Sequence, residues 1–116
     1  MYARHKDGAK AEEFALRYLR KKGLKLVEQN FRSRQGEIDL IMLDRNTTVF
    51  VEVRLRKRSD YVSAVESVSF TKQTRLRRTA EYYLQSKRQS FSADCRFDVF
   101  AVEGSFDRFQ WIKDAF

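Results

Sequence analysis

The sequence predicts one α/β domain with a mixed sheet, because helical and strand patterns follow one another in the order α-β-β-β-α-β. The helical patterns carry apolar or small residues at three- and four-residue spacing, and the strand patterns are rich in β-branched residues. A length of 116 residues suits one hydrophobic core and is too short for two. We therefore expect residues 1–116 to form a single domain with helices flanking the sheet.

Two stretches have the spacing of amphipathic helices. Residues 8–22 carry alanine, tyrosine and leucine on one face, and Lys21-Lys22-Gly23 ends the pattern with a cationic turn and a glycine. Residues 70–86 repeat this spacing, and Ser69 or Thr71 is suited to cap the second helix. Both stretches are predicted to bury one face against the sheet.

Four stretches have strand patterns, at residues 24–32, 37–43, 48–55 and 96–102. The second and third are the strongest, and Asp44-Arg45-Asn46-Thr47 is predicted to join them as a tight turn. Residues 108–115 form a weak terminal element, and we expect a mobile loop over residues 56–69.

Composition excludes several kinds of protein. The only cysteine, Cys95, excludes an internal disulfide and a Cys-based zinc cluster, and the only histidine, His5, argues against a His-dependent triad or zinc enzyme. We find no Walker loop and no GxGxxG motif in the sequence. We also find no signal peptide and no apolar run long enough to span a membrane. We expect a soluble, cytoplasmic domain whose chemistry rests on carboxylates, lysines and arginines.

The net charge of +8 is unevenly distributed. It amounts to +6 over residues 1–35, +1 over 36–58, +3 over 59–93 and −2 over 94–116. The nearly neutral block is also the most apolar, so its acids are not all ordinary surface groups. Basic flanks around such a centre suit a protein that attracts a polyanion and places carboxylates against it. A generic basic surface is the alternative.

Two acids of the central hairpin are predicted to face each other. If the chain turns at Arg45-Asn46, paired positions sum to 91, so Asp39 lies opposite Glu52 and Glu37 opposite Arg54. Two carboxylates about 5 Å apart repel each other unless a proton or cation lies between them, and Mg²⁺ prefers such ligands. A turn of another length would break this pairing. The alternative is a salt-bridged sheet face, with Asp39 beside a basic neighbour and Glu52 beside Arg54.

Two helical residues point toward the same region. Glu12 lies on or beside the buried stripe of the first helix, and an ordinary first-turn acid that favours the helix dipole is the alternative, which the periodicity alone favours slightly. Lys72 precedes Leu76 and Ala80 by four and eight residues, which places it on the sheet-facing stripe of the second helix. A lysine that reaches to solvent is the alternative.

Residues 36–41 (GEIDLI) and 49–56 (VFVEVRLR) resemble the GEIDLI…FVEVKxR signature of the YraN-type bacterial family. Weaker likenesses lie in residues 8–19, 23–30, Lys72, 96–99 and 114–116. That family resembles the PD-(D/E)XK nuclease superfamily and, more distantly, Holliday junction resolvases. The resemblance implies a restriction-endonuclease-like core of order αβββαβ.

The resemblance also implies a catalytic site. Asp39 and Glu52 would be the metal ligands for one or two Mg²⁺ or Mn²⁺ ions, Glu12 would complete the site, and Lys72 would be an auxiliary cation near the scissile phosphate. The lysine of the superfamily motif is replaced by Arg54, which stays charged and cannot act as a base. Arg54 can still stabilise negative charge on the phosphate.

The function implied is a metal-dependent DNA endonuclease, selective for branched or damaged DNA. Two alternatives are a nucleic-acid-binding module that keeps the fold without turnover and a basic adaptor for an acidic protein. A symmetric homodimer is expected if the substrate is a junction. The side chains predicted to bind the nucleic-acid backbone are Arg32, Arg34, Arg56, Lys57, Arg58, Arg75, Arg77 and Arg78.

Overall fold

Two helices and five strands make up the part of the chain that the computed structural model describes, which is residues 6–56, 65–87 and 94–116. In chain order they are α1 (Lys6–Lys21), β1 (Lys25–Ser33), β2 (Gly36–Asp44), β3 (Thr47–Arg56), α2 (Phe70–Ser86), β4 (Cys95–Glu103) and β5 (Phe109–Ile112). The predicted α-β-β-β-α-β order is confirmed, and the weak terminal element is a fifth strand. Most of the loop expected over residues 56–69 lies outside the described residues.

The sheet has the strand order β1-β2-β3-β4-β5. β3 and β4 are parallel and the other neighbouring pairs are antiparallel, so the predicted mixed sheet is confirmed. The parallel pair follows from the chain order, because α2 carries the chain back over the sheet between β3 and β4.

The two helices pack on opposite faces of this sheet. Leu40 and Val51 lie in the hydrophobic cluster beneath α1, whereas their sequence neighbours Ile41 and Phe50 lie in the cluster beneath α2. This is the alternation expected of strands that are buried on both faces. The result is one α/β domain whose central strands are apolar and buried along their middle residues.

The predicted register of the central hairpin is confirmed over its paired length. The pairs run from Asp44–Thr47 to Leu40–Val51, and Arg45 of the two-residue turn adopts a positive φ of 58°. The ladder ends at Leu40–Val51, immediately before Asp39 and Glu52. Beyond this point β2 stays paired with β1 alone.

One pairing was predicted wrongly. Glu37 does not lie opposite Arg54, because the β2–β3 ladder has already ended. It lies opposite Arg32 of β1, and the Arg32 Nε to Glu37 Oε2 distance is 2.6 Å. The split between β2 and β3 opens the sheet at the position of the two central acids.

The start of α2 is set by Ser69, one of the two predicted caps. Its hydroxyl accepts a hydrogen bond from the Lys72 backbone N–H at 3.1 Å. We expect Ser69→Ala to lower the free energy of unfolding by about 1 kcal/mol, because this N–H loses its partner. Urea denaturation measures the change. Thr71→Ala is the matched control, and equal losses for the two variants would contradict the assignment of the cap.

Candidate active site

Asp39 and Glu52 form a buried pair of carboxyl groups where β2 and β3 separate. Their exposed fractions are 8% and 5%. Asp39 Oδ2 accepts a hydrogen bond from the Val53 backbone N–H at 2.8 Å, and the neighbouring Glu52 carboxyl group helps to raise the pKa of Asp39. Two buried carboxylates this close repel each other unless a proton or a cation lies between them.

The surroundings raise the pKa of Asp39 well above its ordinary value. Burial is the largest cause and the charge of Glu52 the second, while the hydrogen bond from Val53 acts in the opposite direction. The charge of Glu12 raises this pKa further. Burial and two like charges therefore all favour a proton or a cation at Asp39.

Two cations approach the pair, both on the side of Glu52. Lys72 Nζ lies 2.7 Å from Glu52 Oε2, and Arg54 Nη1 lies 3.6 Å from the same oxygen. Arg54 Nη2 also donates a hydrogen bond to the Ser67 carbonyl at 3.2 Å. Lys72 thus does reach the sheet, although its side chain is 41% exposed. The salt-bridged alternative holds in part for Glu52, whereas Asp39 has no ion pair within the described residues.

Glu12 approaches the pair from the opposite face of the sheet. It lies on α1 and is buried. An acid that only interacted favourably with the helix dipole would not need to be buried. The charge of Glu12 acts on Asp39. Within the described ranges, however, no three Asp, Glu, His or Cys side chains form a group arranged to hold a metal ion. The three-carboxylate ligand set stays a prediction, and Glu52 acts on Asp39 more strongly than Glu12 does.

A cavity of about 400 Å³ lies in front of the pair. The N-terminal half of α2 forms one wall, and the start of β2 forms the other. The residues that line it beside Asp39 and Glu52 are Gly36, Glu37, Ser69, Thr71, Lys72, Arg75 and Leu76. The two acids therefore face a space that holds a small group such as a phosphate, with Lys72 and Arg75 at its border.

The predicted backbone-binding cations occupy different environments. Arg34, Arg75 and Arg78 are exposed on the β1–β2 turn and on α2, the side of the sheet where the cavity opens. Arg32 is half-exposed and ion-paired with Glu37. Of these four, Arg75 lines the cavity in front of the two acids and Arg78 follows it on α2, while Arg32 and Arg34 lie at the end of β1 and on the turn after it.

The remaining predicted cations are placed differently. The Arg77 guanidinium lies 5.4 Å from the centre of the Phe97 ring and 5.5 Å from that of Phe116, so it covers part of the core. Arg56 lines a separate cavity beside β4 and β5. Lys57 and Arg58 lie outside the described residues.

Sequence reasoning missed a buried polar cluster centred on Asp98. This carboxylate is 0% exposed and accepts hydrogen bonds from Arg96, the Trp111 indole and the Asp114 backbone. Arg96 also donates to Asp44. Burial lowers the pKa of Arg96, but the hydrogen bonds and charges of Asp98 and Asp44 outweigh it and raise this pKa. An acid and an arginine on one face of an otherwise apolar strand were the signal.

Neither of the described helices combines the length and the apolar character that crossing a membrane requires.

Comparison with known proteins identifies relatives along nearly the whole chain. Residues 11–102 match the model of "Uncharacterised protein family UPF0102", a span that includes both central acids. The chain is 47% identical over 117 residues to a UPF0102 protein of Pseudomonas savastanoi pv. phaseolicola, covering 98% of this chain and 95% of that one. It is 43% identical over 117 residues to a UPF0102 protein of Nitrosococcus oceani, covering 98% and 94%. A UPF0102 protein of Coxiella burnetii is 46% identical over 110 residues, covering 95% and 91%. The predicted YraN-type membership is thereby confirmed, and the chain belongs to the UPF0102 family.

Proposed function

We propose that this protein is a metal-dependent endonuclease that hydrolyses phosphodiester bonds in DNA and selects branched or damaged structures. The observation that carries the proposal is the buried Asp39–Glu52 pair, which faces a cavity with Lys72 Nζ on Glu52. Acids this deeply placed in apolar strands cost folding free energy unless a proton or cation neutralises them. A site that acts on a polyanion accounts for the presence of these acids beside exposed arginines.

The donor set fits a hard divalent cation. Asp39 and Glu52 offer carboxylate oxygens, which Mg²⁺ and Mn²⁺ prefer. Burial and, second to it, the charge of Glu52 raise the pKa of Asp39, and a bound cation would offset both. Glu12 would add a third carboxylate to a site for one or two ions. A bound Mg²⁺ or Mn²⁺ supplies Lewis acidity and lowers the pKa of bound water.

The chain's own cations would bind and orient the phosphate. Lys72, on the border of the cavity, can place its ammonium group against a phosphate oxygen that enters beside Glu52. Arg54 lies next to it but is partly held by the Ser67 carbonyl, and it remains charged throughout. Arg54 can therefore only stabilise negative charge on the phosphate, whereas Lys72 could supply the amine that the resembling motif carries at that position. On a junction, we expect a symmetric dimer to present two such sites.

Cleavage of forked and four-way DNA with Mg²⁺ or Mn²⁺ tests the proposal. We expect Asp39→Asn and Glu52→Gln each to lower the cleavage rate by about a thousandfold, since each removes a carboxylate worth several kcal/mol of transition-state stabilisation. Glu13→Gln, an exposed acid of α1, is the control and should cut as the parent does. If both site variants, purified in the same way, cut as fast as the parent, the proposed site is wrong.

A second candidate is a nucleic-acid-binding module without turnover. The contacts of Arg54 favour it, because an arginine held by Glu52 and the Ser67 carbonyl takes the place of the amine of the resembling motif. This candidate predicts salt-sensitive DNA binding with no metal-dependent cleavage. Arg54→Lys separates the two candidates. Cleavage that appears only in this variant establishes the module, whereas Asp39-dependent cleavage by the parent establishes the enzyme.

A further inference from the structure

A second cavity lies farther along α2 from the carboxylate site. It has a volume of about 360 Å³ and is lined by Gln35, Arg78, Glu81, Tyr82 and Gln85. Both cavities lie between α2 and the turn that joins β1 to β2, since Gln35 lines one and Gly36 the other. We call this surface, from Lys72 to Tyr82 with Arg34 and Gln35 opposite, the α2 groove.

The β1–β2 turn is seated closely on the helix. A Cβ atom at Gly36 would lie 3.2 Å from Thr79 Oγ1 and 3.8 Å from Arg75 Cβ. The φ of Gly36 is 150°, a conformation that other residues rarely adopt. The β1–β2 turn therefore contacts α2 at the point between the two cavities.

The groove carries a row of cations that begins at the carboxylate pair. Lys72, Arg75 and Arg78 follow one another at three-residue spacing, which keeps them on one side of the helix, and Arg34 is exposed on the facing turn. Two acids border the same surface. Glu81 lines the second cavity, and Glu37 is ion-paired with Arg32. Cations outnumber acids between the carboxylate pair and Tyr82.

Tyr82 supplies an exposed aromatic ring at the far end of the groove. Its exposed fraction is 51%, and its ring lies 6.2 Å from that of Phe31 at an angle of 32°. One side of the ring is thus supported by the core while half of the residue faces solvent. Ten residues of helix separate Tyr82 from Lys72, a distance of about 15 Å.

We propose that the α2 groove binds a single-stranded segment of DNA and leads it to the Asp39–Glu52 pair. Tyr82 stacks on an unpaired base, and Arg75, Arg78 and Arg34 contact the phosphates. Bases within a duplex are already stacked on one another, so an exposed ring adds binding free energy only with an unpaired base. The proposal rests on the proposed function and narrows its substrate to DNA that carries a single-stranded arm.

Binding without cleavage tests the groove directly. We would measure fluorescence anisotropy in EDTA with labelled oligo(dT), a blunt duplex of equal length and the same duplex bearing an oligo(dT) arm. The parent should bind the oligo(dT) and the armed duplex more tightly than the blunt duplex. Tyr82→Ala should weaken oligo(dT) binding by about tenfold, whereas Tyr82→Phe, which keeps the ring, should bind as the parent does.

The cations are tested by the dependence of this affinity on salt. Arg78→Ala should reduce the slope of log affinity against log salt by about 0.7, the value for one released counterion on a single strand. Arg20→Ala is the matched control, because Arg20 is exposed on α1, on the opposite face of the sheet. Equal effects of Arg78→Ala and Arg20→Ala would overturn the assignment of the groove.

The two proposals fail in different ways. The groove is refuted if Tyr82→Ala binds oligo(dT) as the parent does, if Tyr82→Phe loses as much as Tyr82→Ala, or if the parent prefers the blunt duplex. The nuclease proposal is decided separately by Asp39-dependent cleavage. A parent that binds oligo(dT) through Tyr82 supports the groove even where it cuts nothing.

Discussion

Asp98→Asn is expected to lower the free energy of unfolding by about 3–5 kcal/mol, the range for removal of one partner from a buried ion pair. Arg96 donates to both carboxylate oxygens of Asp98, at 3.0 and 3.3 Å, and the Trp111 indole donates to the second at 2.9 Å. An asparagine has one acceptor oxygen in place of two, so its amide N–H groups would face the remaining donors. The charged guanidinium of Arg96 would then stay partly buried without a carboxylate at position 98 to neutralise it.

Thermal and urea unfolding measure this loss. A change of this size corresponds to a fall in Tm of roughly 12–20 °C for a domain of this length. Asp44→Asn is the matched control, because Asp44 is a second and more exposed partner of Arg96. We expect that variant to lose no more than about 1 kcal/mol. If Asp98→Asn and Asp44→Asn were equally mild, the cluster would not stabilise the fold as described.

Asp39→Asn is expected to stabilise the metal-free protein, increasingly so as the pH rises. The pKa of Asp39 is raised, so the folded state holds this proton more tightly than the unfolded state does. Above about pH 4 the unfolded parent loses this proton whereas the folded parent keeps it, so the stability of the parent falls as pH rises through the raised pKa of Asp39. Asparagine does not titrate, and its carbonyl oxygen can still accept the Val53 N–H.

The quantity to measure is the difference in the free energy of unfolding between Asp39→Asn and the parent. Urea unfolding in EDTA should show this difference near zero at about pH 4 and growing in favour of the variant as the pH rises through the raised pKa of Asp39. Glu13→Gln should follow the parent at every pH. Added Mg²⁺ should stabilise the parent more than Asp39→Asn at high pH, because binding to the folded state is linked to stability. Parallel pH profiles for parent and Asp39→Asn would contradict the raised pKa.

Local patterns were sufficient for much of the fold. The strand patterns at 37–43 and 48–55 are strong enough, and the turn at Arg45-Asn46 is short enough, to set the pairing sum that the structure bears out. The same reasoning failed at Glu37, because it assumed that β2 and β3 stay paired along their whole length. The strands separate at Asp39, next to Asn30 of β1, which has a positive φ of 53° within its strand. A local departure of this kind has no periodic signal.

The sequence by itself determined the order of elements and the register of the central hairpin, which brings Asp39 near Glu52, because each depends on residues close together in the chain. It narrowed the cap of α2 to Ser69 or Thr71 and predicted the mixed sheet from the order of the elements. Only the tertiary structure decided which groups surround Asp39 and Glu52. Lys72 reaches Glu52 because α2 crosses over one face of the sheet. Glu12 raises the pKa of Asp39 from α1, which packs on the opposite face of the sheet. Asp98 depends likewise on β5 and the terminus folding back against β4. Such contacts join distant parts of the chain, and their geometry is set by packing, which no pattern of spacing contains.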